Sequence, residues 1–235
     1  VGSAAATARV SRPRGAATED SHAAERHVER VLQLVDVPAI RRAGFSVVLD
    51  SINASGAIAG RMLLERLGCR LTHLNGDLSG VFSHTPEPLE TNLGELIAAT
   101  PRAGAAVGFA QEPDADRLAL VDERGRYPGE EYTLALAVWR MLERRGAGVL
   151  AANLSTSRLI DAVAGHFAGS RVIRTAVGEA NVAAALRREH GLIGGEGNGG
   201  VIVPSVTWVR DSLSAMALTL DLLAGRGRPL SEIVA

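Results

Sequence analysis

The chain has 235 residues, 46% of them hydrophobic, and a formal net charge of −1. That length holds one large domain or two of ordinary size, and the near-neutral charge removes any bulk attraction to nucleic acid or an anionic membrane. All 25 basic residues are arginine, so this chain fits neither a phosphate-loop NTPase nor a pyridoxal enzyme, each of which needs a lysine.

The elements, in chain order, predict an α/β protein. Residues 1–24 hold a Pro/Arg cluster without periodicity and read as a loose segment. Between 25 and 42, Val28, Val31, Leu32, Val35 and Ile40 fall at helical spacing. "FSVVLD" then reads as a buried strand, "GAIAGRMLLERLG" as a helix, "RLTHL" as a strand and "PLETNLGELIAAT" as a helix. "AAVGFA" and "LALVD" are strands on either side of an acidic loop. A polar break with Gly and Pro follows at 123–130. Beyond it come a long helix, "GEEYTLALAVWRMLERRG", and the strand "GVLAANL". Then follow the helix "TSRLIDAVAGHF", the strand "RVIRT", the helix "EANVAAALRREHG", the strand "LIGGE" and the helix "RDSLSAMALTLDLLA". This alternation predicts two tandem α/β domains, each a mostly parallel sheet layered with helices. The break places them at 25–126 and 127–235.

No apolar run approaches the ~18 residues of a membrane-spanning helix. A single cysteine, Cys69, cannot form an internal disulfide, so a cytoplasmic location is the expectation. The six histidines match no zinc-ligand spacing. Cys69 and Trp139 read as core, whereas Trp208 could either line a cleft or cover one. "DSINASG" at 50–56 reads as a strand-to-helix turn with helix capping, and Ser83–His84 as a surface turn.

Two loops carry chemistry. In "GFAQEPDADRLALVDERG", Glu112, Asp114 and Asp116 alternate along the chain. In an extended segment they would point to one side. Three converging carboxylates need a counter-cation, and oxygen ligands suit Mg²⁺ or Ca²⁺. An EF-hand does not fit, because Arg117 stands where that loop needs glycine and the flanks read as strands. Arg117 adds a group able to bind phosphate. The second loop is "GLIGGEGNGGVIVP", with Glu196 and Asn198 among glycines that let a ligand approach closely. A carboxylate and an amide so placed can bridge neighbouring sugar hydroxyls.

Together, about 80 residues apart, the loops resemble the D-x-D-x-D-R and G-E-x-[SN]-G motifs of the α-D-phosphohexomutase family. That family includes phosphoglucomutase, phosphomannomutase and phosphoglucosamine mutase. "VVLDSINASGAIAGRMLLERLGC", "LNGDLSGVFSHTPEPLETNLGEL" and "TAVGEANV" are similar to other stretches of its second and third domains. The resemblance implies Mg²⁺ held by Glu112, Asp114 and Asp116, and Arg117 beside a phosphoserine phosphate. It implies a sugar read by the Glu196, Gly197, Asn198 loop, with Gly178 allowing a backbone turn near it. The implied partners are a hexose or hexosamine phosphate and its bisphosphate. The implied reaction is an intramolecular phosphotransfer between the 1- and 6-positions.

Two residues depart from the family pattern. Glu112 stands where Asp is usual. Asn198 stands where many members have Ser, which leans toward the phosphoglucosamine mutases. The family's T-x-S-H-N-P serine loop has no match, because "SHTPEP" lacks the Asn-Pro. Nor does "LSEIVA" reach a C-terminal phosphate-binding loop. The expectation is therefore a central fragment of such an enzyme, incomplete alone and prone to self-association without its flanking domains. The alternative is a catalytically silent module that binds sugar phosphate or metal.

Overall fold

The computed structural model describes residues 19–235. Residues 1–18, most of the segment expected to be loose, lie outside the described residues. Helix α1 (Ala23–Leu32) begins inside that segment. The single helix expected over 25–42 is two, because Asp36 breaks it. The Asp36 carboxylate accepts from Ala39 N at 2.9 Å and caps α2 (Val37–Ala43), which has Pro38 in its first turn. Gly44, at φ +61°, ends α2 in the left-handed conformation that glycine adopts without steric cost.

The rest of the first unit is β1 (Ser46–Asp50), α3 (Gly56–Arg66), β2 (Arg70–Leu74), α4 (Gly94–Arg102), β3 (Val107–Gln111) and β4 (Leu118–Asp122). Only the second half of "PLETNLGELIAAT" is α-helical, and Glu90–Asn92 make one 3₁₀ turn before it. The sheet order is β2-β1-β3-β4. β1 runs parallel to β2 and β3, and β4 returns antiparallel to β3.

The second unit repeats this plan. It contains α5 (Glu131–Arg145), β5 (Val149–Asn153), α6 (Leu159–Gly165), β6 (Arg171–Thr175), α7 (Glu179–Arg188), β7 (Ile193–Glu196), β8 (Gly200–Ile202), α8 (Ser212–Arg226) and α9 (Leu230–Ile233). Its sheet order is β6-β5-β7-β8, with β8 antiparallel at the edge. Each sheet is thus three parallel strands plus one antiparallel edge strand.

Burial explains the strand sequences. β3 and β4 are buried along their whole length, so they read as continuous apolar runs and not as alternation. Val47 and Leu49 face one core while Val48 faces another, beneath α4 with Leu93 and Leu96. The first of these cores serves both units. It joins Val28, Ile40 and Leu63 to Leu134, Ile160 and Leu218. α8 is the shared element, since every residue from Ser212 to Leu223 is buried. A helix buried all round sits between layers, and α8 contacts α1, α2 and α3 as well as α5. Among the described residues no helix is long and apolar enough to cross a membrane.

Candidate functional site

Both predicted loops lie at carboxyl ends of strands, where α/β sheets bind ligands. The acidic loop joins β3 to β4 in a tight turn, and Ala115 at φ +59° makes it so. The carboxylates do converge, with one oxygen each from Glu112, Asp114 and Asp116 within 4.8 Å of one another. They converge because the chain reverses at Ala115, not because an extended segment alternates. Left-handed backbone at a residue with a Cβ costs about 1–2 kcal/mol. The neighbouring 50–56 turn shares this feature, with Ile52 at φ +47° and Asn53 at φ +56°. Ser55 does not cap α3 with its side chain. Its N–H and hydroxyl both donate to Pro113 O, at 3.2 and 2.7 Å, and so brace the acidic loop.

The three acids differ in surroundings. Glu112 is buried, and Arg117 Nε donates to its Oε1 at 2.6 Å. Arg117 also pairs with Glu87 at 3.1 Å. Asp114 is exposed. Asp116 pairs through Oδ2 with Arg210, while among the described residues its buried Oδ1 has no hydrogen-bond partner. Burial and the adjoining Glu112 carboxyl push Asp116 up to about 8, against the pull of Arg210. Burial also raises Glu112, but the adjoining Asp116 carboxyl and the hydrogen bond from Arg117 outweigh it and hold that group low. Two carboxyls pressed together in this way favour an added positive charge between them. An oxygen-only donor set with one orphaned buried oxygen fits a hard dication.

The sugar-type loop is the β7–β8 hairpin. Glu196 ends β7 and is buried. It accepts from Asn153 Nδ2 at 2.6 Å, from Gly178 N at 3.3 Å and from Arg210 Nη1 at 2.8 Å. A carboxylate offers roughly four acceptor positions, so one remains for a ligand hydroxyl. Gly178, at φ +115°, caps α7 and turns its N–H onto Glu196. Gly197 N donates to Thr156 Oγ1 at 2.9 Å, and Asn198 Oδ1 accepts from Gly200 N at 3.3 Å.

The two loops touch directly. Leu118 N donates to Gly199 O at 3.1 Å, and Arg117 bridges Gly200 in antiparallel fashion. Gly199 must be glycine: its φ is +91°, and a Cβ there would lie 2.5 Å from Leu118 O.

These two loops on paired α/β units match a known pattern. The model of phosphoglucomutase/phosphomannomutase α/β/α domain II matches residues 25–125, and that of domain III matches residues 129–235. The chain belongs to the phosphoglucomutase/phosphomannomutase family. A "Phosphoglucomutase/phosphomannomutase" of Thermococcus kodakarensis is 37% identical over 88% of this chain and 46% of its own length. A "Probable phosphoglucosamine mutase" of Methanopyrus kandleri is 38% identical over 94% of this chain and 48% of its own. The chain thus spans about half the length of the curated relatives it matches. A phosphoglucomutase/phosphomannomutase family protein of Burkholderia thailandensis shares the fold at TM-score 0.76 and 26% identity, over 90% of this chain and 45% of that one. An Aspergillus fumigatus N-acetylphosphoglucosamine mutase, solved with GlcNAc-6P and magnesium, matches at TM-score 0.56 and 17% identity, over 88% of this chain and 47% of that one.

Within this phosphohexomutase frame, sequence reasoning missed several residues. Arg210 touches both loops, yet "TWVRDS" carries no local pattern that marks it. Asn153 and Glu179 support the site from β5 and α7. The first unit's counterpart of Asn153 is Asp50, at the end of β1. It is buried and accepts from His84 Nε2 at 3.1 Å, so His84 is not a plain surface turn. Trp208 shares a surface pocket with Glu179, Ala183 and Arg187. It packs on the cluster of Ala151, Val182 and Leu186, with the Arg187 guanidinium 4.6 Å over its ring. Cys69 packs at the core margin, and burial pushes its thiol up to about 12, which suits no nucleophile.

Proposed function

We propose that this chain supplies the metal-binding and sugar-reading loops of a phosphohexomutase. The reaction is intramolecular phosphotransfer between the 1- and 6-positions of a hexose or hexosamine phosphate, with glucosamine phosphate favoured through Asn198. The observation that carries this reading is the direct joining of two loops distant in sequence. Asp116 of the acidic triad and Glu196 of the other loop also share one partner, the Arg210 guanidinium.

Glu112, Asp114 and Asp116 would hold Mg²⁺, which when bound neutralises charge on phosphoryl oxygens. Glu196 accepts from a sugar hydroxyl while Asn153, Gly178 and Arg210 keep its carboxylate from turning. Asn198 offers an amide beside it. Arg117 spends its charge on Glu112 and Glu87, and a phosphoryl group displaces Glu87 because that partner is more than half exposed.

Phosphorus NMR tests the reading. The full chain with Mg²⁺ is added to glucosamine-1-, glucose-1- or mannose-1-phosphate in turn. The expected result is line broadening or a shift, largest for glucosamine-1-phosphate and lost in Glu196→Ala. Unchanged resonances for all three sugars would overturn it.

A further inference from the structure

One guanidinium stands between the two loops. Arg210 pairs with Asp116 of the acidic loop, with Glu196 Oε2 at 2.8 Å, and with Glu179 Oε2 at 3.4 Å. Its backbone is fixed on both sides. Arg210 N donates to Glu179 Oε1 at 2.8 Å, and Asp211 N donates to Val201 O at 2.8 Å. Asp211 also caps α8, accepting from Leu213 N and Ser214 N. Gly200 makes room for the side chain, because a Cβ there would lie 2.3 Å from Arg210 Cδ.

Three acidic side chains converge on this one guanidinium, and Asp116 has besides it only the more distant Arg117 Nε, at 3.9 Å. A dication arriving at Asp116 weakens that residue's hold on the guanidinium. The guanidinium then shifts toward Glu196 and Glu179, the partners that keep their full charge. Glu196 has little freedom to ignore this, because Arg210 holds one of its oxygens while Asn153 and Gly178 hold the other.

We propose that Arg210 is a positioning residue that couples the loops, so that cation occupancy at Glu112, Asp114 and Asp116 resets the posture of Glu196. By linkage, sugar binding then changes cation affinity by the same factor. This rests on the reading that the acidic loop takes Mg²⁺.

The test is amide NMR of the full chain titrated with MgCl₂ and no sugar. In the parent, the Gly178 and Gly197 resonances should move with the same midpoint as those of Asp114 and Asp116. In Arg210→Gln the acidic-loop shifts should remain, at equal or lower Mg²⁺ concentration because a nearby positive charge is gone. The Gly178 and Gly197 shifts should be lost. If Arg210→Gln no longer folds or binds Mg²⁺, Glu179→Gln takes its place. It loosens Arg210 without touching either loop and should reduce the remote shifts; unchanged shifts overturn the proposal. Remote shifts that persist in Arg210→Gln also overturn it, because the Leu118–Gly199 backbone link would then suffice. Acidic-loop shifts without remote ones in the parent overturn the coupling alone. No shifts anywhere overturn the Mg²⁺ reading itself.

Discussion

Asp116 carries the sharpest charge conflict in the site, being pressed by burial and by Glu112 and relieved chiefly by Arg210. Asp114 is exposed and makes no hydrogen bond among the described residues. The two should therefore separate binding from stability. Two unit charges about 4 Å apart interact by about 4 kcal/mol at an effective dielectric of 20. Asp116→Asn should lower Mg²⁺ affinity about 100-fold or more, as read by calorimetric titration. Asp114→Asn should also weaken Mg²⁺ but leave the urea midpoint of the metal-free chain unchanged. A shifted midpoint would mean that Asp114 has a structural role. At this scale the sequence pointed to candidate side chains but not to how they meet. Glu112, Asp114, Asp116, Glu196 and Asn198 were legible because acids and glycines cluster locally. Arg210 was not, because all its partners lie far away in the chain or across the sheet.

Among the elements, the β7–β8 hairpin shows what local pattern conveys and what it omits. "LIGGE" was legible as a strand. β8 has only Gly200, Val201 and Ile202, too short to show a period beside a glycine run. Its pairing with β7, not its residues, makes it a strand. The helix break at Asp36 was readable in principle, because an Asp with Pro two residues later signals a helix start. The apolar periodicity across 25–42 hid it. Gly199 joins the hairpin to β4, and Gly199→Ala would add both a strained φ and a clash with Leu118 O. Alanine at a positive φ destabilises by more than the ~1 kcal/mol it saves elsewhere, and the clash adds to that. Urea unfolding should show a loss of about 2 kcal/mol or more. The sugar-phosphate signal in phosphorus NMR should weaken as well, since the loop could no longer pair with Leu118. A variant with normal stability and normal binding would show that the loop contact is dispensable.

Across the whole molecule, the two sheets depend on contacts that no local reading supplies. His27 of α1 meets Asp211, the cap of α8, at 3.0 Å. The hydrogen bond that His27 Nε2 donates to Asp211 Oδ1 raises the His27 pKa despite the opposing effect of burial. A histidine whose pKa rises on folding stabilises most below its unfolded value of 6.5. That contribution fades as pH climbs through the higher folded value. Stability should thus fall from about pH 6.5 upward, and His27→Gln should flatten the slope in urea titrations at stepped pH. The shared core makes a stronger claim. α8 follows the second sheet in sequence but packs against α1, α2 and α3 of the first unit. Separating the units would expose a helix buried all round, so neither should unfold alone. Both tryptophans, Trp139 and Trp208, lie in the second unit, and fluorescence reports there while far-ultraviolet dichroism reports on both units. Coincident urea transitions by the two probes are the expected sign of one cooperative unit. Leu218→Ala on α8 removes a fully buried side chain and should shift both transitions together, by about 2–5 kcal/mol. A fluorescence transition that moves while part of the dichroism change stays behind would mean that the first unit stands without α8.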